Sequence, residues 1–396
     1  MVEKDTGTSG LIDRALKGDC SAQISLGIEL FHSDVKAAAY WFGLAALQGN
    51  KTGYINLGMY YQFWAEEQDL PLAVHYYTCS AECDDDCGEY YLARCYEEGK
   101  GVERDIKTAL DWYKRSAEHG NALAMERLGV VYSIGISVER DIGKAVQFFK
   151  MAADKGNRNA ICKLAEYYDM GFGVEKNCRK ATTLWMKLAE QNDAYGIAIL
   201  ASRYRDGKGV EKDFSEASKL TVKALSLYQV KQDKNRFDVF MIGYCQYWLG
   251  EYDDAQQNLW VAASGYLNEF KCGESFDNAD SVGQAFYWLA KTFYAKSMYA
   301  ESLAALNIGQ DVLFKFCVSH ELWSAYANNK WVKSILDLSR QIESDKDGMK
   351  SALGIFAGLI GLEFNDIVGD IADLVTDGLI DQYIDTIQGK METSMP

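Results

Sequence analysis

The chain has 396 residues, of which 48% are hydrophobic, and it carries a net charge of −16. This length suits one long repeat array or two to three domains. A chain this acidic should repel nucleic-acid phosphates, so we expect no nucleic acid among its partners and a protein partner instead, with a basic protein the easiest to accommodate.

The N-terminal stretch MVEKDTGTSGLIDRALKG lacks the apolar segment that a signal peptide needs, so we expect a cytoplasmic protein. The first repeat-like unit, around Leu26 and Ser33, lacks the glycine loop of the later units. We therefore expect this part of the chain to cap the array.

A period of 36 residues runs through the first 230 residues. The alanines that mark it are Ala73, Ala109, Ala145, Ala181 and Ala217, and an Asp or Asn stands four residues before each one. Such a period indicates a repeat array, in which a unit buries its apolar face only by stacking on its neighbours.

Each unit contains the pattern of two helices. In one unit, residues 121–133 and 144–156 each place apolar side chains on one helical face. Asp141 stands where the second helix needs an N-cap, and Gly156 stands where that helix ends.

The stretch EEGKGVERD at 97–105 recurs as RDGKGVEKD at 205–213. A phosphate-binding loop would need its lysine followed by Ser or Thr, after a strand and before a helix. Here Lys100 and Lys208 are followed by glycine, and a helix precedes each loop. We therefore interpret these stretches as turns between helices, where glycine relieves backbone strain.

These features together resemble the SEL-one-like repeat, a 36-residue relative of the tetratricopeptide repeat. The resemblance covers about residues 11–230 and is clearest in LARCYEEGKGVERDIKTALDWYKRSAEHGNA at 92–122. It implies an all-α fold, a right-handed α-solenoid of stacked helix–turn–helix repeats. It also implies a non-enzymatic scaffold or adaptor that holds partner proteins on a concave surface, without a cofactor.

In stacked helix pairs, the first helix of each unit lines the concave side, and the positions beside its repeated leucine point away from the core. We predict partner-binding side chains at Tyr91, Arg94, Arg127, Lys163 and Glu166, with Arg203 and Arg205 extending the row. Tyrosine and arginine often carry interface energy, so Tyr91, Arg94 and Arg127 lead the set. Ordinary solvated surface is the alternative for each residue.

Four residues at spacings of four, His75, Cys79, Cys83 and Cys87, would share one face of a continuous helix and could approximate a zinc site. The stretch CDDDC at 83–87 occupies the turn between two helices, however, and interrupts that face. We expect plain packing and no metal, with a zinc site and a Cys79–Cys87 disulfide as the alternatives.

Residues 231–340 resemble tetratricopeptide units. The matching positions are Gly250, Tyr252 and Ala255 in one unit and Ser297, Tyr299 and Ser302 in the next. Their offset of 47 residues predicts an inserted loop near 271–281, and a further helix pair is expected around Trp323 and Trp331.

Residues 348–390 form a different tail, with an apolar run at 351–364 and an amphipathic acidic helix at 365–388. The apolar run is shorter than the roughly 20 residues that span a bilayer. Surface-bound helices favour Lys and Arg, so membrane association is not expected. We predict a C-terminal capping helical segment, with partner docking or self-association as the alternative.

The sequence contains four histidines and neither a His-Glu-x-x-His nor a Gly-x-Ser-x-Gly motif, so we expect no enzyme activity. The preferred function is a protein-binding scaffold or adaptor. The alternative is a bacterial immunity or antitoxin-like protein that inhibits a basic partner stoichiometrically, which the acidic charge mildly favours.

Overall fold

The computed structural model describes residues 5–272, 276–298, 301–309, 312, 334–335, 337–338 and 341. Throughout these residues every regular element is helical, which confirms the all-α prediction. Contacts divide the chain into two compact units, Met1–Leu188 and Ala189–Pro396, called unit 1 and unit 2. The predicted tail at 348–390 and the helix pair predicted around Trp323 and Trp331 lie outside the described residues.

In chain order the α-helices are α1 (Asp5–Leu16), α2 (Cys20–Leu30), α3 (Val35–Leu47), α4 (Lys51–Met59), α5 (Leu70–Glu82), α6 (Asp86–Glu98), α7 (Ile106–Glu118), α8 (Ala122–Ile134), α9 (Ile142–Asp154), α10 (Arg158–Met170), α11 (Cys178–Glu190), α12 (Ala194–Asp206), α13 (Phe214–Gln229), α14 (Arg236–Leu249), α15 (Tyr252–Cys272) and α16 (Phe276–Ala295). A π-helix, Tyr60–Trp64, follows α4. We call the even-numbered helices A helices and the odd-numbered helices from α3 onward B helices. Among the described residues, no helix is both apolar enough and long enough to cross a membrane.

The predicted N-caps of the B helices are confirmed. The capping residues are Asp69, Asp105, Asp141, Asn177 and Asp213, and each accepts a hydrogen bond from a backbone N–H of the first helical turn at 2.9–3.2 Å. A short acceptor side chain at this position satisfies an amide that has no partner within the helix. The 36-residue period therefore marks where each B helix begins.

Each glycine loop ends an A helix with a left-handed residue. Gly99, Gly135, Gly171 and Gly207 have φ between 70° and 84°, and each donates its N–H to the carbonyl four residues earlier. Lys100, in the first of these loops, pairs with Glu98 at 2.6 Å. The interpretation of these loops as turns is confirmed.

The second glycine of the loop permits a close approach between repeats. A Cβ atom on Gly101 would lie less than 3.0 Å from the Leu70 carbonyl, and one on Gly173 would lie less than 3.0 Å from the Ile142 side chain. Both partners stand in the first turn of the preceding B helix. Ser137 occupies the same position in the loop between them, with φ 55°.

Rings from the B helices fill the space beside the A helices in unit 1. Phe42, Tyr77 and Phe149 are buried, and each ring lies against an A-helix glycine whose added Cβ would come within 3.0 Å of it; these glycines are Gly27, Gly58 and Gly129. The glycine follows the repeated leucine and makes room for the ring in a close-packed core.

Polar contacts to backbone carbonyls join successive B helices in unit 1. Arg115 Nη2 lies 3.4 Å from the Ala81 carbonyl, and Lys187 Nζ lies 2.8 Å from the Ala153 carbonyl. Each cation therefore meets the C-terminal end of the preceding B helix, where unpaired carbonyls and the helix dipole favour positive charge.

In unit 2, the long helices α15 and α16 correct one expectation. The extra residues between the two tetratricopeptide-like units lie in these helices, because α15 continues to Cys272 and α16 begins at Phe276. Val282, Phe286 and Leu289 are buried at steps of three and four. One apolar face thus runs along α16. Residues 271–272 and 276–281 are helical, so at these described positions the loop predicted near 271–281 is wrong.

Candidate partner-binding surface on the A helices

Tyr91, on α6, contributes to the core of unit 1 as much as to its surface. Its ring stacks on the buried Tyr77 with 5.2 Å between the ring centroids, and Tyr90 meets it edge-on at 5.4 Å. It also packs against the cluster that contains Leu92. The half-buried Tyr91 therefore has only part of its side chain available for a partner.

Arg94 lies one helical turn before Glu98 on α6, and its Nη2 contacts the Glu98 carboxylate at 2.6 Å. Burial acts to raise the pKa of Glu98, but hydrogen bonds from Lys100 and Arg94 outweigh it and hold that pKa below its ordinary value. The Arg94 side chain is 36% exposed. It is thus anchored within its own helix and still accessible.

Arg127, on α8, is held in an internal network. Its Nε lies 3.0 Å from both carboxylate oxygens of Glu97, and its Nη2 pairs with the same group. The Tyr113 hydroxyl donates to Glu97 at 2.7 Å. Because the network joins α6, α7 and α8, we assign Arg127 a structural role beside any role in binding.

Lys163 and Glu166 form the most accessible pair of the predicted set. They lie three residues apart on α10, with 3.2 Å between Nζ and the carboxylate, and Lys163 is 52% exposed. Exposed pairs of this kind contribute at most about 1 kcal/mol to folding. The Lys163–Glu166 contact by itself therefore adds little to the stability of the repeat, and Lys163 also opposes the burial that raises the pKa of Glu126 on α8.

The expected exposure of Arg203 in unit 2 is wrong, because the residue is only 2% exposed. Arg203 lies three residues after the buried Leu200, and that spacing places both on one face of α12. Arg205 is half-buried: its guanidinium lies 3.6 Å above the centre of the Trp248 ring, and its Nη2 lies 3.5 Å from the Thr221 hydroxyl.

Sequence reasoning missed the surroundings of Arg205. Lys291, on α16, places its Nζ 5.2–5.8 Å from four ring centroids. We name this group, with Arg205, the aromatic–cation cluster; its rings belong to Tyr247, Trp248, Tyr287 and Trp288. Aromatic residues at helical spacing resemble ordinary core, and only the fold shows that they surround two cations.

The four candidate zinc ligands do not share one continuous helix. His75 Nε2 lies 3.7 Å from the Cys79 sulfur, but α5 ends at Glu82, so the predicted break before Cys87 is confirmed. Cys79, Cys83 and Cys87 are thiols.

A different group, Asp84, Glu89 and His119, brings its ligand atoms within 4.8 Å of one another. The fully buried Glu89 carboxylate lies 2.7 Å from Arg115 Nε and 2.9 Å from His119 Nδ1, and Arg115 Nη2 lies 2.5 Å from Asp84. The Arg115 guanidinium thus bridges the two carboxylates of the group. This group is an ion-pair network between α6 and α7.

The chain matches the Sel1 repeat model six times in succession, over residues 21–50, 52–85, 88–121, 122–157, 158–193 and 194–228. Each match contains one A helix and the following B helix, from α2/α3 to α12/α13. No curated protein matches the chain at a significant level.

Several solved structures are similar to this chain. A protective antigen present in uropathogenic Escherichia coli strains, displaying an SLR fold, is 20% identical over 99% of this chain and 98% of its own, with a TM-score of 0.52, and it supports the fold. A Sel1 repeat protein from Oxalobacter formigenes is 27% identical over 53% of this chain and 89% of its own, with a TM-score of 0.49. An immunity protein from Pseudomonas aeruginosa is 18% identical over 52% of this chain and 81% of its own, with a TM-score of 0.39. Because the six matches cover more than half of its residues, the chain belongs to the Sel1 repeat family.

Proposed function

We propose that this protein is a non-enzymatic scaffold or adaptor that binds partner proteins on the surface of its A helices. The observation that carries the proposal is the set of accessible side chains on α6 and α10, namely Arg94, Lys163 and Glu166. Arg94 and Lys163 each pair with a carboxylate on their own helix, and exposed pairs of this kind contribute little to folding. A partner can therefore use these charges without weakening the repeat.

Membership of the Sel1 repeat family supports this proposal, because proteins built from such repeats generally mediate protein–protein interactions. Stacked helix pairs present an extended surface for that purpose. We also propose that the protein acts in a reducing compartment such as the cytoplasm, where the buried thiols of Cys95 and Cys245 would persist.

A second candidate function is stoichiometric inhibition of a single basic protein, as an immunity or antitoxin-like protein would perform it. The observation that favours it is the net charge of −16, which attracts a basic partner from a distance. The same experiment separates the two functions.

The test compares two double variants of the full chain as bait in a native lysate. R94Q/K163Q removes two charges from A helices, and K114Q/K150Q removes two charges from the B helices α7 and α9. We expect the first variant to lose partners that the second retains, as measured by quantitative mass spectrometry, with unchanged thermal melting for both.

Several unrelated proteins lost together would support the scaffold, and one basic protein lost at near one-to-one stoichiometry would support the inhibitor. Equal capture by both variants would contradict binding at the A helices.

A further inference from the structure

The aromatic–cation cluster lies where three A helices of unit 2 contribute side chains to one place. Arg205 comes from α12, Trp248 from α14 and Lys291 from α16. Lys291 and the rings of Tyr247, Trp248, Tyr287 and Trp288 are all half-buried, so part of each remains open to a ligand. The cluster is therefore built by successive A helices and is not a single exposed side chain.

Two donors inside this cluster are poorly paired. Arg205 Nη1 and Trp248 Nε1 are buried and make no well-formed hydrogen bond among the described residues. Their side chains lie beside the Tyr244 hydroxyl and act to lower the pKa of Tyr244, against the larger raising effect of burial. A poorly paired buried donor is costly, so a stronger acceptor could improve on this contact after small side-chain shifts.

The charge of the cluster selects the kind of ligand. Its aromatic faces already hold two cations, Arg205 above Trp248 and Lys291 beside four rings, so a cationic ligand would meet like charge. Burial lowers the pKa of Lys291, and the nearby Asp206 opposes that shift. A desolvated ammonium gains more from an anion than an exposed one does. The charge of the cluster and its poorly paired donors both favour an anionic acceptor.

We propose that the aromatic–cation cluster binds a carboxylate side chain in an acidic segment of the partner protein. Lys291 and Arg205 pair with the carboxylate, while Tyr247 and Trp288 pack against an apolar residue next to it. The inference rests on the proposed function and adds the chemistry of the partner, an acidic residue beside an apolar one.

The test selects a phage-displayed library of random dodecapeptides on the full chain and measures the best peptide by fluorescence anisotropy. We expect enriched peptides with Asp or Glu beside Trp, Phe or Leu. Changing that acidic residue to its amide, or making the Lys291→Gln variant, should weaken binding about tenfold or more. K291R keeps the charge and should retain binding, and K223Q, at an exposed position of α13, is the matched control.

Enrichment of basic or uncharged peptides, or no enrichment, would overturn the proposal. Equal binding by the K291Q and K223Q variants would also overturn it. The proposed function would survive these results, because its own test uses α6 and α10 and does not depend on Lys291.

Discussion

Ser137 has a left-handed backbone, with φ 55°, at the loop position that Gly101 and Gly173 occupy in other repeats. This conformation costs a residue with a Cβ about 1–2 kcal/mol. Glycine avoids that cost, but its greater freedom in the unfolded chain lowers stability by about 0.4–1 kcal/mol. We expect S137G to raise the free energy of unfolding by about 0.5 kcal/mol, measured by urea denaturation. A decrease would mean that the Ser137 side chain contributes more than its backbone costs.

The matched change at Gly101 should act in the opposite direction. An alanine Cβ would meet the Leu70 carbonyl within 3.0 Å, and φ is already 74°. We expect G101A to lower the free energy of unfolding by about 1–3 kcal/mol, in the same urea experiment. An unchanged midpoint would contradict the close approach of the loop to α5.

The buried carboxyl group of Glu89 should make the free energy of unfolding depend on pH. Burial raises the pKa of its carboxyl above the ordinary value of 4.5, although His119 and Arg115 oppose the shift. The folded protein then retains this proton at a pH where the unfolded chain has lost it. The stabilisation is complete below pH 4.5 and disappears as the pH rises through the folded-state pKa.

Glu89→Gln removes this titration. We therefore expect the stability of the wild type relative to E89Q to fall as the pH rises from about 4 to 7. Urea denaturation of both proteins across that range measures the difference. A relative stability that is constant, or that rises with pH, would show that the ion pairs with Arg115 and His119 outweigh burial.

At the scale of elements, the contacts between helices separate two arginines that look equivalent in the sequence. Arg127 pairs with Glu97 across α6 and α8, whereas Arg94 pairs within α6. We expect R127A to lower the free energy of unfolding by about 1.5–3 kcal/mol, because it leaves the largely buried Glu97 short of a charged donor. For R94A we expect a change within about 0.5 kcal/mol.

Thermal and urea unfolding of the two variants, measured side by side, tests this difference. Equal losses would mean that the link between helices adds nothing beyond an exposed pair. A drop in partner binding by R127A is informative only if its fold is intact.

The period predicts the ends of the helices because those signals are local. An N-cap such as Asp141 bonds three residues along the chain, and a left-handed glycine such as Gly171 acts within one turn. These features, together with the Sel1 resemblance, were predicted and are confirmed.

The contacts of the site depend on residues much further apart. Glu97 and Arg127 are 30 positions apart, and the surroundings of Lys291 come from separate helices. The spacing of residues along a single helix does not show whether a long side chain extends into solvent or bends back onto the protein. Arg203 was misplaced for this reason.

At the scale of the whole molecule, the net charge of −16 opposes the approach of an acidic segment, although the aromatic–cation cluster would accept it. Salt screens the long-range repulsion more than the half-buried contact. We therefore expect the association rate constant of the selected acidic peptide to rise between about 50 and 300 mM NaCl. Stopped-flow fluorescence measures this rate, and a basic partner should show the reverse.

A slower association of the acidic peptide in salt would mean that local attraction already dominates at a distance. In that case Lys291 and Arg205 would outweigh both the nearby Asp206 and the net charge of the chain.

The cations that join successive B helices have a consequence for evolution. Arg115 and Lys187 donate to the backbone carbonyls of Ala81 and Ala153, which any residue at those positions would supply. The acceptor in each of these contacts therefore does not depend on which side chain stands at that position. A gene can duplicate or lose a whole 36-residue unit, or change the exposed residues of one unit, while the neighbouring unit still finds its acceptor. Such a lineage could exchange one partner for another without having to invent a new fold.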